Sequence, residues 1–280
     1  MTEVSDVYSF ELADGRLAYR DTGTGQPLVL LHGGFLDHGM WDDQVPAFAS
    51  DYRVIAPDAR GHGGSTNANG PFRQCDDLAA LLRHLDVGPA ILVGLSMGAG
   101  IAVDTALEHP DLVRALVVSG AGTNEPEFRD PWVKEMLAEQ ARALADADAE
   151  RWIDAWMRGA AGPHRSLDDV APHVVRRIRS MLTRTVAKHT STEPVRLVPV
   201  PDTWKRAAQV TIPVLAINGS IDSDDHIEMA ERLVHAVADG RTATIEGTAH
   251  YPNMERPAAF NEALADFLAT LSAQNSPQSL

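Results

Sequence analysis

The chain has 280 residues, is 44% hydrophobic and carries a formal net charge of −15. That size supports a substantial core, whereas the acidity argues against nucleic acid or an anionic membrane as a partner, since both call for a basic footprint. A single cysteine, Cys75, rules out an internal disulfide framework and fits a reducing, cytoplasmic setting.

The N-terminal stretch MTEVSDVYSF has neither the basic segment nor the apolar run of an export signal, and no apolar run reaches the ~18 residues of a membrane span. SFELADGRLAYRD then reads as a hairpin turning at Asp14-Gly15. Short apolar runs of the kind buried parallel strands need follow at 27–32, 53–57, 90–94, 115–120, 213–218 and 243–247. Helical patterns lie between them. DDLAALLRHL places Leu78, Leu81, Leu82 and Leu85 on one face, with Cys75 as a small helix-face residue nearby, and MGAGIAVDTALEHP runs from a strand exit to a proline stop. Strands alternating with helices predict an α/β fold with a mostly parallel sheet covered on both faces.

The alternation breaks after residue 122 and resumes near 211. Residues 124–207 hold 13 Asp/Glu and 14 Lys/Arg, a net +1 that leaves −16 for the rest, and four of the five tryptophans: Trp132, Trp152, Trp156 and Trp204. This window reads as a helical cap inserted into the core. The expected division is core at 1–123, cap at 124–207, core at 208–272 and a flexible tail at 273–280.

AILVGLSMGAG carries the strongest chemical signal. Gly94-Leu95-Ser96-Met97-Gly98 is a G-x-S-x-G set between a strand and a helix, where a nucleophilic serine sits on a tight, strained turn and its flanks must lack bulk. The backbone N–H of Met97, at a helix N-terminus, is placed to donate to a developing oxyanion. A second donor belongs in the loop after LLHGG.

Five segments in order, PLVLLHGGFLDHGMWDDQ, VIAPDARGHGGS, VGLSMGAG, the acid region after PVLAING, and GTAHYPNMERP, together resemble the α/β-hydrolase superfamily. The resemblance is nearest to its capped branch of small esterases, 3-oxoadipate enol-lactone hydrolases and cofactor-free haloperoxidase-like enzymes. It implies that Gly34 donates the second oxyanion hydrogen bond, that His32 holds the loop rather than acting as base, and that Phe35 walls the pocket. Arg60 and His62 match a structural loop.

A serine hydroxyl needs a general base, and the base an orienting carboxylate, in the chain order Ser, acid, His for this fold. His250, past the last strand candidate, fits the base; His226 precedes that strand and reads as a satisfied surface or capping histidine. Among the aspartates of NGSIDSDDH, Asp225 opens a helix with capping-box spacing to Glu228. Asp222, three residues after Gly219, matches the family's acid, with Asp224 as the fallback. No EF-hand spacing or zinc-ligand pair is present, and GTGQP lacks the third glycine of a dinucleotide fingerprint, so neither metal nor cofactor is expected.

In the cap, Trp152, Ile153, Trp156 and Met157 form a stripe that suits packing first and a substrate wall second. Phe35, Trp132 and Trp156 are the apolar candidates for substrate contact. Between 170 and 186 one apolar face forms, Arg176, Arg177 and Arg184 project into solvent, and Arg179, at the boundary, could meet a substrate carboxylate. The expected protein is a serine hydrolase of carboxylic esters or lactones, a monomer or homodimer acting on a small molecule. Carbon–carbon bond hydrolysis, perhydrolysis and a ligand-sensing role use the same triad. Dehalogenases and most epoxide hydrolases of this fold place Asp where this chain has Ser96.

Overall fold

A computed structural model describes residues 7–190 and 193–273. Most of the expected tail, 274–280, lies outside the described residues, as do 1–6 at the N-terminus; Ala273, assigned to the tail, instead ends a helix. Eight strands form one sheet: β1 (Val7–Leu12), β2 (Gly15–Thr22), β3 (Gln26–Leu31), β4 (Tyr52–Pro57), β5 (Ala90–Leu95), β6 (Val113–Ser119), β7 (Val214–Gly219) and β8 (Gly240–Ile245). Their order is β1-β2-β4-β3-β5-β6-β7-β8. The β1–β2 and β2–β4 pairs are antiparallel and the rest parallel. Every strand run read from the sequence is present, displaced by up to three residues at its ends.

Helices α1 (Val45–Phe48), α2 (Gln74–His84) and α3 (Met97–Glu108) follow β3, β4 and β5. Between β6 and β7 come α4 (Pro131–Ala145), α5 (Ala149–Ala161), α6 (Pro172–Val186) and α7 (Thr203–Arg206). Then follow α8 (Asp224–Ala236), α9 (Pro252–Glu255) and α10 (Pro257–Ala273). Because strand side chains alternate between faces, the sheet splits the core in two. Leu28, Leu30, Val93, Val117 and Ile217 pack on one face with α5, α6 and α10; Val29, Leu31, Leu92, Val118 and Ala216 pack on the other with α2, α3 and α8. No described helix is long and apolar enough to cross a membrane.

The helices between β6 and β7 are fastened to the loop after β3 by polar contacts that a single-helix projection hides. Arg177, expected in solvent, donates to the Gly39 carbonyl at 3.0 Å and to Asp43 at 2.6 Å, and Arg184 reaches Asp37 at 2.7 Å. Of the three, Arg177 alone is drawn out of solvent; Arg176 and Arg184 remain exposed, Arg184 while paired with Asp37. A further tie corrects the reading of Asp225. The N-cap of α8 is Ser223, whose side chain accepts from His226 N–H, and Asp225 lies inside the first turn. Its Oδ2 accepts from the backbone N–H groups of Arg129 and Asp130 at 2.9 and 2.8 Å, clasping the chain where it enters α4. Both Ser223 and Asp225 stand where a cap could form; burial of Asp225 against segment 129–130 decides between them.

Asp225→Ala leaves two amides without their acceptor, at an expected cost of about 1–3 kcal/mol in urea unfolding. Amide hydrogen exchange should quicken at Arg129 and Asp130. Faster exchange in the first turn of α8 with no change at 129–130 would show Asp225 to be a helix cap after all.

Candidate active site

The ends of β5, β7 and β8 bring Ser96, Asp222 and His250 to the carboxyl edge of the sheet, where loops of open α/β folds gather functional groups. Ser96 has φ 53° and ψ −115°, a strained conformation for a residue with a side chain, and its N–H donates to Ser119 O at 2.8 Å. The flanking glycines answer a packing demand. A methyl on Gly94 would stand 2.2 Å from Gly98 O, and one on Gly98 only 2.1 Å from Leu31 O, so any side chain would part the elbow from its neighbours. Likewise a methyl on Gly33 would lie 3.8 Å from Ser96 Cβ, and one on Gly34 would lie 3.9 Å from Met97 Cβ. The loop after β3 is thereby seated on the elbow, with Gly34 beside Met97.

That loop is held by its histidine. His32 is buried, with Nδ1 2.8 Å from Gly33 O and Nε2 accepting from Ala59 N–H at 2.9 Å. Burial lowers its pKa, against the pull of Asp58, which keeps it neutral in this bridging role. Arg60 pairs bidentately with Asp77 at 2.8 Å and reaches Asp14 at 2.7 Å, while burial pushes His62 down to about 3.

Asp222 Oδ2 lies 2.8 Å from His250 Nδ1, and both side chains are buried, at 4% and 7% exposure. Burial alone would raise the aspartate's pKa; His250 and His226 together hold it well below the usual carboxylate range. Burial lowers the pKa of His250, Asp222 opposes this, and His226 adds to the lowering. The His250 ring rests on Gly120, where a methyl would come within 2.6 Å of Cε1; Gly120 also has φ 63°.

His226 is no surface residue. At 9% exposure its Nδ1 lies 3.1 Å from Asp222 Oδ1 and 2.9 Å from Ser223 Oγ, and its ring centroid is 4.2 Å from that of His250. Sequence order could not reveal this, because the spacing Asp222-x-x-x-His226 also describes an ordinary helix start. Asp224 is exposed in the first turn of α8 and joins none of these bonds.

Donor atoms cluster in two places among the described residues: Asp222, His226 and His250, and Cys75, Asp76 and His109. In the first, imidazoles already occupy both carboxylate oxygens. In the second, Asp76 is taken up by Arg73 and His109, and burial pushes the Cys75 thiol up to about 12.

An open cavity of about 770 Å³ runs from Gly34, Phe35 and Met97 to Trp152 and to residues of 186–190 and 193–197. Of the expected substrate contacts, Trp132, Trp156 and Arg179 do not line this cavity, although Trp156 stands 6.4 Å from Phe35 in its wall. Trp132 sits under the Arg158 guanidinium at 5.7 Å, Trp156 stacks on Tyr251 at 6.2 Å, and Arg179 pairs with Asp154 and Glu150. Trp152 takes the wall position instead, edge-on to Phe35 at 4.7 Å.

Comparison with known proteins agrees with this architecture. The (E)-2-((N-methylformamido)methylene)succinate hydrolase of Acinetobacter baylyi is 28% identical over 94% of this chain and 98% of its own. The 3-oxoadipate enol-lactonase 2 of the same organism is 27% identical over 80% of this chain and 82% of its own. A thermophilic esterase from Thermogutta terrifontis superposes with a TM-score of 0.77 at 25% identity, covering 95% of this chain and 99% of the esterase. The family described as alpha/beta hydrolase fold matches residues 26–257, and the chain belongs to it.

Proposed function

We propose that this hydrolase cleaves carboxylic esters or lactones through an acyl-enzyme formed on Ser96. The observation that carries the reading is the buried 2.8 Å contact between His250 Nδ1 and Asp222, beside the strained turn of Ser96. With its Nδ1–H donated to Asp222, His250 presents Nε2 as the free base, which takes the Ser96 proton as Oγ attacks the carbonyl carbon. The oxyanion so formed is received by the N–H groups of Gly34 and Met97. Asp222, held ionised, stabilises the imidazolium, which passes its proton to the departing alcohol. His250 then activates a water that releases the acid and restores Ser96.

The cavity fits a small and largely apolar substrate. Its size is that of ordinary ligand pockets, and Phe35, Phe72, Leu144, Trp152 and Leu197 supply apolar walls. One cation in the lining stands apart. Arg60 and His189 are engaged with carboxylates, but Arg196 has no ion pair among the described residues and its buried Nε has no hydrogen-bond partner. A carboxylate on the substrate would satisfy it. The names of the succinate and 3-oxoadipate hydrolases among the relatives also carry an acid. The proposed setting is the cytoplasm, with a small molecule as the only partner required.

A fluorophosphonate should place one adduct on Ser96, and Ser96→Ala should lower kcat by at least about 10³-fold. Labelling elsewhere, or retained turnover, overturns the reading. Since His250 acts only when neutral and burial depresses its proton affinity below the ordinary 6.5, kcat/KM should fall on acidification with its midpoint below pH 6.5. Arg196→Gln should raise KM about tenfold for a carboxylate-bearing ester and leave a neutral ester of equal size unchanged. Equal effects on both would remove Arg196 from substrate recognition.

A further inference from the structure

Asp222 is gripped from two sides, and the proposed catalytic cycle uses only one of them. Its Oδ2 faces His250, while its Oδ1 lies 3.1 Å from His226 Nδ1 and accepts the Ser223 N–H at 2.8 Å. His226 comes from the first turn of α8 and His250 from the loop after β8, so the carboxylate bridges two elements. The two imidazoles are also neighbours, with ring centroids 4.2 Å apart and planes inclined at 37°. The edge of Phe128, from the segment leading into α4, closes the other side of His226 at 5.9 Å.

We propose that His226 is a positioning residue for the active site, fixing the Asp222 carboxylate from the side opposite His250 and using its charge to keep His250 a free base. This rests on the reading of Ser96, Asp222 and His250 as the catalytic set. The groups facing His226 are Asp222 from the loop after β7, Asp225 on α8, Asp130 from the chain entering α4, and the His250 ring. Burial opposes its protonation, but the three carboxylates outweigh burial and raise its pKa above the usual histidine value. His250 receives the opposite treatment: burial depresses it, Asp222 alone supports its charge, and His226 works against it.

The sign follows from these contacts. A protonated His226 at this distance repels a proton on His250, and by bonding Oδ1 it withdraws electron density from the carboxylate that would otherwise favour imidazolium on the other side. Both effects keep His250 available as a base further into acid. Removing the charge removes both, so the acidic limb of the pH–rate profile must move upward.

The experiment compares kcat/KM for a 4-nitrophenyl ester across pH in wild type, His226→Gln and His226→Asn, with Ser96→Ala alongside. Ser96→Ala judges the underlying reading by itself: retained turnover there sinks the catalytic set, whatever His226 does. With Ser96→Ala inactive, the His226 variants should show the acidic limb displaced to higher pH, so that their deficit is largest in acid and smallest on the alkaline plateau. A deficit that is the same factor at every pH overturns the proposal, because a purely structural histidine would act that way. The imidazole ¹⁵N resonances of the wild-type protein supply a measurement that needs no substitution. His226 should take up its proton at higher pH than His250, and the reverse order overturns the proposal.

Discussion

The site turns on one buried negative charge. At 4% exposure the Asp222 carboxylate has lost nearly all its water, a loss worth several kcal/mol for an ion in a protein interior. It stays ionised only because three N–H donors converge on it, from His226, Ser223 and His250. Each of those donors must then be held in place by its own element. Asn218, at the end of β7, accepts the Gly120 N–H at 3.1 Å, and Gly120 is the surface on which the His250 ring lies. The loops after β6, β7 and β8 are thus bound into one unit by the need to satisfy a single charge.

A second constraint, steric rather than electrostatic, brings the serine to that unit. The turn at Ser96 works only if α3 starts almost against the ends of β3 and β5, and Gly94 and Gly98 are the residues whose Cβ atoms would otherwise fill that space. The strain at Ser96 is sustained by the helix and strand on either side, α3 anchored in one half of the core and β5 in both. The elbow and the acid loop were therefore fixed by different physics, close packing in one case and charge satisfaction in the other, and they meet at the carboxyl edge of the sheet.

This difference explains how much was legible in the sequence. Strands buried on both faces announce themselves as apolar runs, and a glycine-flanked serine between strand and helix announces the turn, because both are local patterns. The contacts of charged groups are not local. Arg177 and Arg184 sit on the polar side of α6 in any projection of that helix alone, yet a core loop spanning Asp37 to Asp43 waits there to receive them. Arg179, which a wheel places at the boundary, meets Asp154 from α5 instead of the cavity. Trp152 and Trp156 share one stripe and both stand edge-on to Phe35, at 4.7 and 6.4 Å, and only the packed structure shows that Trp152 lines the cavity while Trp156 stacks on Tyr251. The side of the cavity formed by 187–190 and 193–197 lies outside helices and strands, so no periodicity marks it in the sequence.

The crowded stretch Asp222-Ser223-Asp224-Asp225-His226 shows how one turn of chain can serve several masters. Alternate sides of the helix start face different partners: Asp222 and His226 look toward His250, Asp225 toward the backbone of Arg129 and Asp130, and Asp224 toward solvent. Ser223 can cap α8 because Asp225 is occupied elsewhere, and Asp225 can clasp the entrance to α4 because Ser223 has taken the cap. The same turn therefore joins the chain entering α4 to the loop after β7 through two adjacent residues, Asp225 by hydrogen bonds and His226 by its contact with Phe128. Any displacement of the chain entering α4 must be felt at the carboxylate within one helical turn, so the helices between β6 and β7 and the carboxyl edge of the sheet are mechanically a single structure at this point.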